Sequence, residues 1–141
     1  MSRICIITSI HPDYDPRVYK HCRSMADLGH AVTLIAPWSP AGMDGRIRFR
    51  PFPRSPGTLG RLRNARHIWR LAAQTPAELY HFHDLDLCPI MALFALVRRA
   101  KVVYDVHENY PLEMLKKIVS KNILKIPLLP AMAFAIKMWW K

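Results

Sequence analysis

The fold class of this chain is decided by residues 3–37, RICIITSIHPDYDPRVYKHCRSMADLGHAVTLIAP. The apolar run at residues 4–9 is typical of a strand that is buried on both faces of a sheet. Asp15 and Pro16 indicate a helix start, because a carboxylate can cap the first turn and proline already has a helical φ. Gly29 is placed to end that helix, and the apolar residues after it predict a second buried strand. A strand, a helix and a second strand in this order predict a parallel sheet.

The same alternation continues along the chain. A strand with one exposed face is predicted at residues 46–52, and a helix at about residues 58–74. Further strands are predicted at residues 78–83 and 101–106, with an apolar helix at residues 85–98 between them. On the helix at about residues 58–74, one side is expected to be apolar and another basic. The apolar side contains Leu62, Ala65, Trp69 and Ala72, and the basic side contains Arg63, Arg66 and Arg70. The sequence therefore predicts a single α/β domain with a mostly parallel sheet and helices on both faces.

The composition indicates a folded, basic protein. Apolar residues make up 51% of the chain, which argues against disorder, and the formal net charge is +11. Eight arginines and no acidic residue lie between Asp44 and Glu78, and six lysines with one acidic residue lie in residues 110–141. Such stretches suit partners that carry phosphate, namely nucleic acid, an anionic lipid surface or a nucleotide-linked substrate. A solvated surface is the alternative for any single basic residue.

The amino terminus and the cysteines favour a cytoplasmic protein. The first ten residues contain one charge, a short apolar run and no small-residue cleavage site, so we expect no signal peptide. Cys5, Cys22 and Cys88 are odd in number and far apart in sequence. We therefore expect reduced, buried thiols rather than a disulfide framework or a zinc site.

Titratable side chains gather where the predicted strands end. The segments after the first, fourth and fifth strands contain four of the seven histidines and six of the ten acidic residues. In parallel sheets, ligands bind beyond the carboxyl ends of the strands, so this edge, called the rim below, is the best candidate for a site. The side chains concerned are His11, Asp13 and Asp15; His81, His83, Asp84 and Asp86; and Asp105, His107 and Glu108.

Several of these residues have simple structural explanations. Asp15 suits a helix cap, and Asp84 or Asp86 could cap the next helix in the same way. His81 and His83 alternate along a strand and therefore share a face. His83 is nearer the strand end and is the better candidate for a ligand contact, whereas His81 fits a satisfied interior histidine. The histidines outside the rim are predicted to be surface or packed residues: His21, His30 and His67.

Two other kinds of site fit the sequence less well. The run HFHDLD, residues 81–86, superficially resembles a His-x-His-x-Asp-His metal motif, but Leu85 and Asp86 stand where Asp and His are needed. No Cys-x-x-Cys or His-Glu-x-x-His motif is present, so a metal site is a weak alternative. The segment SIHPDYDP after the first strand contains no glycine, which makes a Gly-x-Gly-x-x-Gly dinucleotide site weaker still.

Three stretches carry a resemblance when they are taken together. They are HPDYDPRVYKHCRSMADLGHAVTLIAP at residues 11–37, ELYHFHDLDLCP at residues 78–89 and VVYDVHENYP at residues 102–111. In this order they resemble the amino-terminal domain of glycosyltransferase family 4 enzymes. In that family, a His-Pro-x-x-Asp-Pro-Arg-Val loop opens the first helix, and His-x-His-Asp and Asp-x-His-Glu runs end two later strands. Order and spacing match from about residue 4 to residue 111.

The resemblance implies one half of a GT-B architecture, in which two Rossmann-like domains face each other across a cleft. The amino-terminal half mainly holds a glycan or lipid-linked acceptor, and the other half mainly holds the nucleotide-sugar donor. Such enzymes transfer a sugar with retention of configuration and generally need no metal, so neither a metal nor another cofactor is expected. His83 would be the catalytic residue, contacting the transferred sugar and stabilising an oxocarbenium-like transition state. The substrate-binding residues would be His11, Asp13, Asp84, His107 and Glu108.

The sequence departs from the family pattern in two respects. Residues 1–141 correspond to the amino-terminal domain only, and they stop within a predicted helix without a donor domain. The glycine-rich first loop of many relatives is also missing. We therefore expect the isolated chain to be inactive and expect a second chain with a donor domain as a candidate partner. The alternative is a non-catalytic remnant or binding module with the same fold.

The last residues favour a membrane surface over a membrane span. The tail NILKIPLLPAMAFAIKMWWK, residues 122–141, has lysines and two prolines within its apolar run, which disfavours spanning. Lysines beside Trp139 and Trp140 suit an anionic membrane interface, and a helix packed on its own domain is an equal alternative. We expect a cytoplasmic protein that is peripheral to the inner face of the membrane. No nucleic-acid partner is expected, because the arginine stretch lacks exposed interleaved aromatics and a docking motif.

Overall fold

Nine elements form in the computed structural model, which describes residues 1–9, 16–37 and 44–106. In chain order they are β1 (Arg3–Ile7), α1 (Pro16–Asp27), β2 (Ala31–Ala36), β3 (Ile47–Pro51), α2 (Gly57–Ala73), β4 (Leu79–Phe82), a 3-10 turn (Leu85–Leu87), α3 (Cys88–Arg98) and β5 (Val102–Tyr104). The strands lie in the order β3-β2-β1-β4-β5, and every neighbouring pair is parallel. The predicted α/β fold with a Rossmann-like parallel sheet is therefore confirmed.

Alternate residues of the strands supply two separate cores. The α1 face is the side of the sheet covered by α1, and its core comprises Ile4, Ile6, Val18, Cys22, Ala26, Val32, Leu34, Ala36 and Ile47. The α2–α3 face is the opposite side, and its core comprises Cys5, Ile7, Ile35, Phe52, Ile68, Ala72, Tyr80, Phe82, Leu87, Met91 and Phe94. Burying one large apolar side chain contributes about 1.5–3 kcal/mol, so both layers stabilise the sheet.

Helix α1 ends where the sequence predicts, at a left-handed glycine. Gly29 has a φ of 81°. Its N–H donates to the Ala26 carbonyl at 2.9 Å, and the His30 N–H donates to the Met25 carbonyl at 3.1 Å. These two bonds form the Schellman arrangement, which turns the chain directly into β2. The predicted cap at Asp15 lies outside the described residues.

The side of helix α2 that faces the core overlaps only in part with the apolar side expected from the sequence. Its buried residues are Gly60, Asn64, Ile68 and Ala72, whereas Leu62 is 68% exposed among arginines. The polar Asn64 is buried because its amide pairs with the Ser55 backbone, accepting from the N–H at 2.9 Å and donating to the carbonyl at 3.1 Å. A Cβ on Gly60 would lie 2.3 Å from the Ser55 carbonyl oxygen, so only glycine permits this contact. Of the residues that the sequence groups on one apolar side, Ala72 is therefore buried and Leu62 is not.

The three cysteines are free thiols, and two of them are fully buried. Burial raises the pKa of both Cys5 and Cys22 to about 12. Burial also raises the pKa of Cys88, which is only half-buried. The expectation of buried thiols is therefore confirmed for Cys5 and Cys22 and is too strong for Cys88.

Candidate functional site

The rim is built by the ends of β1, β4 and β5, which lie side by side. Backbone hydrogen bonds continue past the last strand residues: the His83 N–H donates to the Ile7 carbonyl at 3.2 Å, and the Asp105 N–H donates to the Phe82 carbonyl at 2.9 Å. These bonds fix the start of each following segment relative to its neighbour. The predicted convergence of the strand ends is therefore present among the described residues.

A buried carboxylate joins the end of β1 to the end of β4. Asp84 is 2% exposed, and its Oδ2 accepts from the Thr8 hydroxyl at 2.8 Å and from the Ser9 N–H at 2.5 Å. The Ser9 hydroxyl donates to Oδ1 of Asp86 at 2.8 Å. The set of contacts of Asp84 with Thr8 and Ser9 is called the Asp84 joint below. Hydrogen bonds to an ionised carboxylate are about twice as strong as neutral ones. The Asp84 joint holds the segment that leaves β1 against the segment that leaves β4.

The same contacts decide whether Asp84 and Asp86 cap the next helix or belong to the rim. Asp84 precedes the 3-10 turn and Leu87 precedes α3, and neither of these N-cap residues makes a side-chain hydrogen bond to the helix start. The prediction that Asp84 or Asp86 caps the next helix was therefore wrong. Both carboxylates point toward β1 instead, which a cap pattern in the sequence cannot distinguish from helix capping.

Three histidines and one aspartate form a cluster on the α1 face, called the histidine cluster below. Their candidate ligand atoms, from His21, His81, His83 and Asp105, all lie within 4.8 Å of one another. The His81 and His83 rings stack with centroids 4.8 Å apart, as expected for alternate residues of one strand. Asp105 Oδ2 lies 3.6 Å from His81 Nε2 and 3.5 Å from His83 Nδ1.

His21 completes this cluster from α1. Its ring centroid lies 4.4 Å from that of His81 and 5.7 Å from that of His83, edge-on to both. Sequence reasoning treated His21 as a surface or packed residue, and the structure packs it against the rim histidines. The sequence places His21 beside Cys22 and three residues after Val18, near the side of α1 that faces the sheet, but it does not reveal the partners of His21.

The cluster is largely enclosed. The His83 side chain is 1% exposed and that of His81 is 12% exposed, so the residue nearer the strand end is the deeper one. Asp105, at 34%, is the most accessible of these three. A ligand would therefore reach the cluster from the side of Asp105.

The predicted site residues divide into two groups. His83 and Asp84 lie together at the rim, on adjacent positions after β4. The others, His11, Asp13, His107 and Glu108, lie outside the described residues. Sequence reasoning missed Thr8 and Ser9, because hydroxyl groups at a strand end carry no distinctive pattern.

A basic cleft lies at the opposite edge of the sheet. It has a volume of about 510 Å³ and includes Arg3, Arg46, Arg48 and Arg50 in its lining. Two of these arginines already serve structural bonds. Arg50 donates to the Leu71 carbonyl at 3.2 Å and the Thr75 hydroxyl at 2.9 Å, and Arg46 pairs with acidic residues near the end of α1 and before β3. The cleft is therefore a weaker candidate than the rim.

Comparison with protein families identifies the fold's relatives. The Glycosyltransferase Family 4 profile matches residues 17–139 of the chain. The chain belongs to glycosyltransferase family 4. In this family 4 domain, the matched range includes all but the first residue of α1, the histidine cluster and Asp84, but not Thr8 and Ser9, which follow β1 and bond to the rim carboxylates.

Two other comparisons add little. A search of curated proteins finds no match. Among solved structures, the C-terminal domain of a hydrogenase from Pyrococcus furiosus matches with 12% identity and a TM-score of 0.48, covering 74% of this chain and 92% of that one. A similarity at this level is too low to support any conclusion about the function of the family 4 domain.

Proposed function

We propose that this family 4 domain is the acceptor-binding half of a retaining glycosyltransferase that uses a nucleotide-sugar donor. The acceptor is a glycan or a lipid-linked glycan, and most donor contacts belong to a second Rossmann-like domain. His83 is the catalytic residue, and His11, Asp13, Asp84, His107 and Glu108 bind or shape the substrates. Transfer is assigned to these side chains, with no metal in the reaction.

The observation that carries this proposal is the Asp84 joint beside His83. Through Thr8 and Ser9, Asp84 ties the start of the segment that contains His11 and Asp13 to the residue next to His83. A preorganised arrangement of this kind is what transition-state stabilisation requires, because the donors need not reorganise during the reaction. Asp84 thus acts by positioning, and His83 by contact with the sugar.

The imidazole of His83 suits the proposed role. A sugar that loses its nucleotide develops positive charge at the anomeric carbon and negative charge on the departing phosphate. A hydrogen bond from a histidine to the transferred sugar, near that phosphate, strengthens as this charge develops. Asp105, whose Oδ2 lies 3.5 Å from Nδ1, restrains the orientation of the ring.

Binding of glycans to the full chain tests the proposal. In buffer with a chelator, we expect a panel of glycans and lipid-linked glycans to contain ligands, and we expect His107→Gln to weaken their binding about tenfold or more. His67→Gln is the matched control, since His67 stacks on Phe52 on the opposite side of the sheet. Equal binding by the two variants, or no glycan ligand at all, would contradict the acceptor role.

A turnover assay separates the enzyme from the binding module. With nucleotide-sugar and a bound acceptor, we expect the 141-residue chain to transfer sugar at no more than background rate. Addition of a donor-binding domain, encoded downstream or by a neighbouring gene, should restore transfer. Strong turnover by the chain alone, unaffected by a chelator, would contradict the half-enzyme proposal; binding without restored transfer would favour a binding module.

Peripheral membrane association is a second proposal, and α2 supplies its support. Leu59 and Leu62 are 76% and 68% exposed, and they lie on the same side of α2 as Arg63, Arg66 and Arg70. Exposed leucines among arginines suit an anionic membrane surface, because apolar insertion and charge attraction act together. No helix in the described ranges is both long and apolar enough to cross a membrane. The basic tail, which was predicted to bind the membrane as well, lies outside the described residues.

Vesicle sedimentation distinguishes the two basic segments. We expect the full chain to bind anionic vesicles, with binding that weakens but persists as salt is raised. Changing Arg63, Arg66 and Arg70 to glutamine should reduce binding less than neutralising the six lysines of residues 110–141, which outnumber them. Binding that is unaffected by either change would contradict electrostatic association.

A further inference from the structure

The histidine cluster has a donor set that the transferase proposal does not explain. Within the cluster, that proposal uses His83 and its neighbour Asp105, but two more imidazoles, from His21 and His81, converge on the same point. One candidate ligand atom from each of these side chains lies near the same point, which is the arrangement that a metal ion needs. We infer that His21, His81, His83 and Asp105 form a binding site for one divalent transition-metal ion. This inference goes beyond the proposed function and does not depend on it.

The topology of the domain explains why these four residues meet. His81 pairs with Val103, and Phe82 pairs with Tyr104, across the parallel ladder of β4 and β5. Continuing this register by one residue places Asp105 beside His83. Because side chains alternate along strands, all three polar residues lie on the α1 face. Helix α1 crosses that face and brings His21 onto the same point.

The distances fit a four-coordinate ion. Zinc binds histidine nitrogen at about 2.0–2.1 Å and carboxylate oxygen at about 2.0–2.2 Å, which puts tetrahedral ligand atoms about 3.3–3.5 Å apart. The distances from Asp105 Oδ2 to His81 Nε2 and His83 Nδ1 are 3.6 and 3.5 Å. The largest separation in the set is 4.8 Å, and a modest rotation of a ring would close it.

The chemistry of the donors selects the class of ion. Imidazole nitrogen suits zinc, copper, iron and nickel, whereas magnesium and calcium prefer sites made of oxygen. Three neutral imidazoles and one carboxylate would leave a net charge of +1 with a divalent ion. The enclosure of His81 and His83 shields these bonds from water, and Asp105 provides the more open approach.

Such an ion would have a structural consequence. It would link α1 to the ends of β4 and β5 through the four cluster residues. This link would add to the hydrogen bond from Thr8 to Asp84, which joins the end of β1 to the end of β4. Binding to the folded chain alone raises its stability by mass action. We therefore expect saturating zinc to raise the melting temperature of the metal-free chain by about 5 °C or more.

Titration of the full, untagged chain with zinc tests the inference. After treatment with a chelator and its removal, the chain should bind one Zn²⁺ per molecule with micromolar or tighter affinity. Co²⁺ should bind the same site and give the intense visible absorption of four-coordinate cobalt. Binding of no ion, or of Zn²⁺ only at millimolar concentrations, would overturn the inference.

Variants show whether the bound ion uses the histidine cluster. His21→Gln and His81→Gln should each weaken zinc binding about tenfold or more, since each removes a ligand. His67→Gln is the control and should leave the affinity unchanged. If His21→Gln and His67→Gln bind zinc equally, the ion lies elsewhere and the inference fails.

A measurement on the unaltered chain covers the case in which a variant does not fold. In nitrogen-15 spectra of the imidazole side chains, zinc should shift the signals of three of the seven histidines, assigned to 21, 81 and 83. Shifts of any other set would overturn the inference. Glycan binding is measured with a chelator present, so the metal site and the acceptor role can fail independently.

Discussion

The two faces of β4 carry different chemistry, aromatic on one side and titratable on the other. On the α2–α3 face, Tyr80 and Phe82 belong to an aromatic layer. The ring centroids of Tyr80 and Phe94 are 4.9 Å apart, and those of the stacked Phe82 and Tyr104 rings are 4.8 Å apart. On the α1 face, His81 and the following His83 lie in the histidine cluster. A period of two residues thus lets one short strand anchor the core and present the site. Changes on one face should affect stability, and changes on the other should affect ligands.

The largest expected effect comes from the aromatic layer. Phe94 is fully buried and also packs edge-on against Trp69 at 5.2 Å. Phe94→Ala should lower the free energy of unfolding by about 3–5 kcal/mol, because it removes apolar burial and leaves a cavity. Leu96→Ala, at a position 77% exposed on the same helix, should change it by no more than about 0.5 kcal/mol. Urea denaturation measures both, and a similar loss in the two variants would contradict this description of the core.

The next largest effect is expected at the close contact between Gly60 of α2 and the Ser55 backbone. Gly60→Ala should destabilise the chain by about 1–3 kcal/mol, because the new methyl group would overlap the Ser55 carbonyl. The control is Gly45→Ala, where a Cβ meets nothing within 4 Å. Thermal unfolding compares the two. A Gly60→Ala chain as stable as the control would show that α2 can shift without cost.

A smaller effect is expected from the joint at the rim. Thr8→Val keeps the shape of the side chain but removes the hydroxyl that donates to Asp84, so a loss of about 1–2 kcal/mol is expected. Thr33→Val on β2 should cause no loss, since valine suits a strand. Glycan binding should fall in Thr8→Val as well. Unchanged stability and binding would mean that Asp84 does not organise the rim.

The smallest expected effect is on thiol reactivity. Because each core contains one buried cysteine, the reaction rates of the two thiols compare the accessibility of the two cores. Cys5 lies in the α2–α3 core and Cys22 in the α1 core, and burial raises the pKa of each to about 12. Only the thiolate reacts, so both should resist iodoacetamide at mildly alkaline pH until the chain unfolds. Cys88, half-buried, should react first. Mass spectrometry of partly modified chain checks the order, and early modification of Cys22 would indicate that α1 opens locally.

The strands and the parallel sheet could be predicted from sequence because each relies on a local signal. Continuous apolar runs such as residues 4–9 have one good explanation in a chain of this length. Gly29 specified its turn through backbone geometry alone. The side of α2 that is buried could not be predicted in the same way. Asn64 is buried through a contact with Ser55 nine residues away, and periodicity of apolar residues does not detect such pairs.

The candidate site was predictable to a similar extent. The strand-end rule located His83 and Asp84 at the rim, since that rule follows from parallel topology. It did not reveal that Asp84 bonds to Thr8, because the two are 76 residues apart and only the register of β1 and β4 brings them together. His21 was missed for the same reason: its partners lie on a strand some 60 residues later. Nonlocal pairs of this kind require the fold before they can be recognised.

The most direct test of the central claim is to map where a glycan binds on the full chain by backbone chemical-shift perturbation. The rim predicts shifts at Thr8, Ser9, His83, Asp84 and Asp105, at the ends of β1, β4 and β5. The basic cleft at the other edge provides the contrast, through the amides of Arg3, Thr33 and Arg48. Shifts confined to the rim group would support the site. Shifts confined to the cleft group, with the rim unchanged, would contradict it.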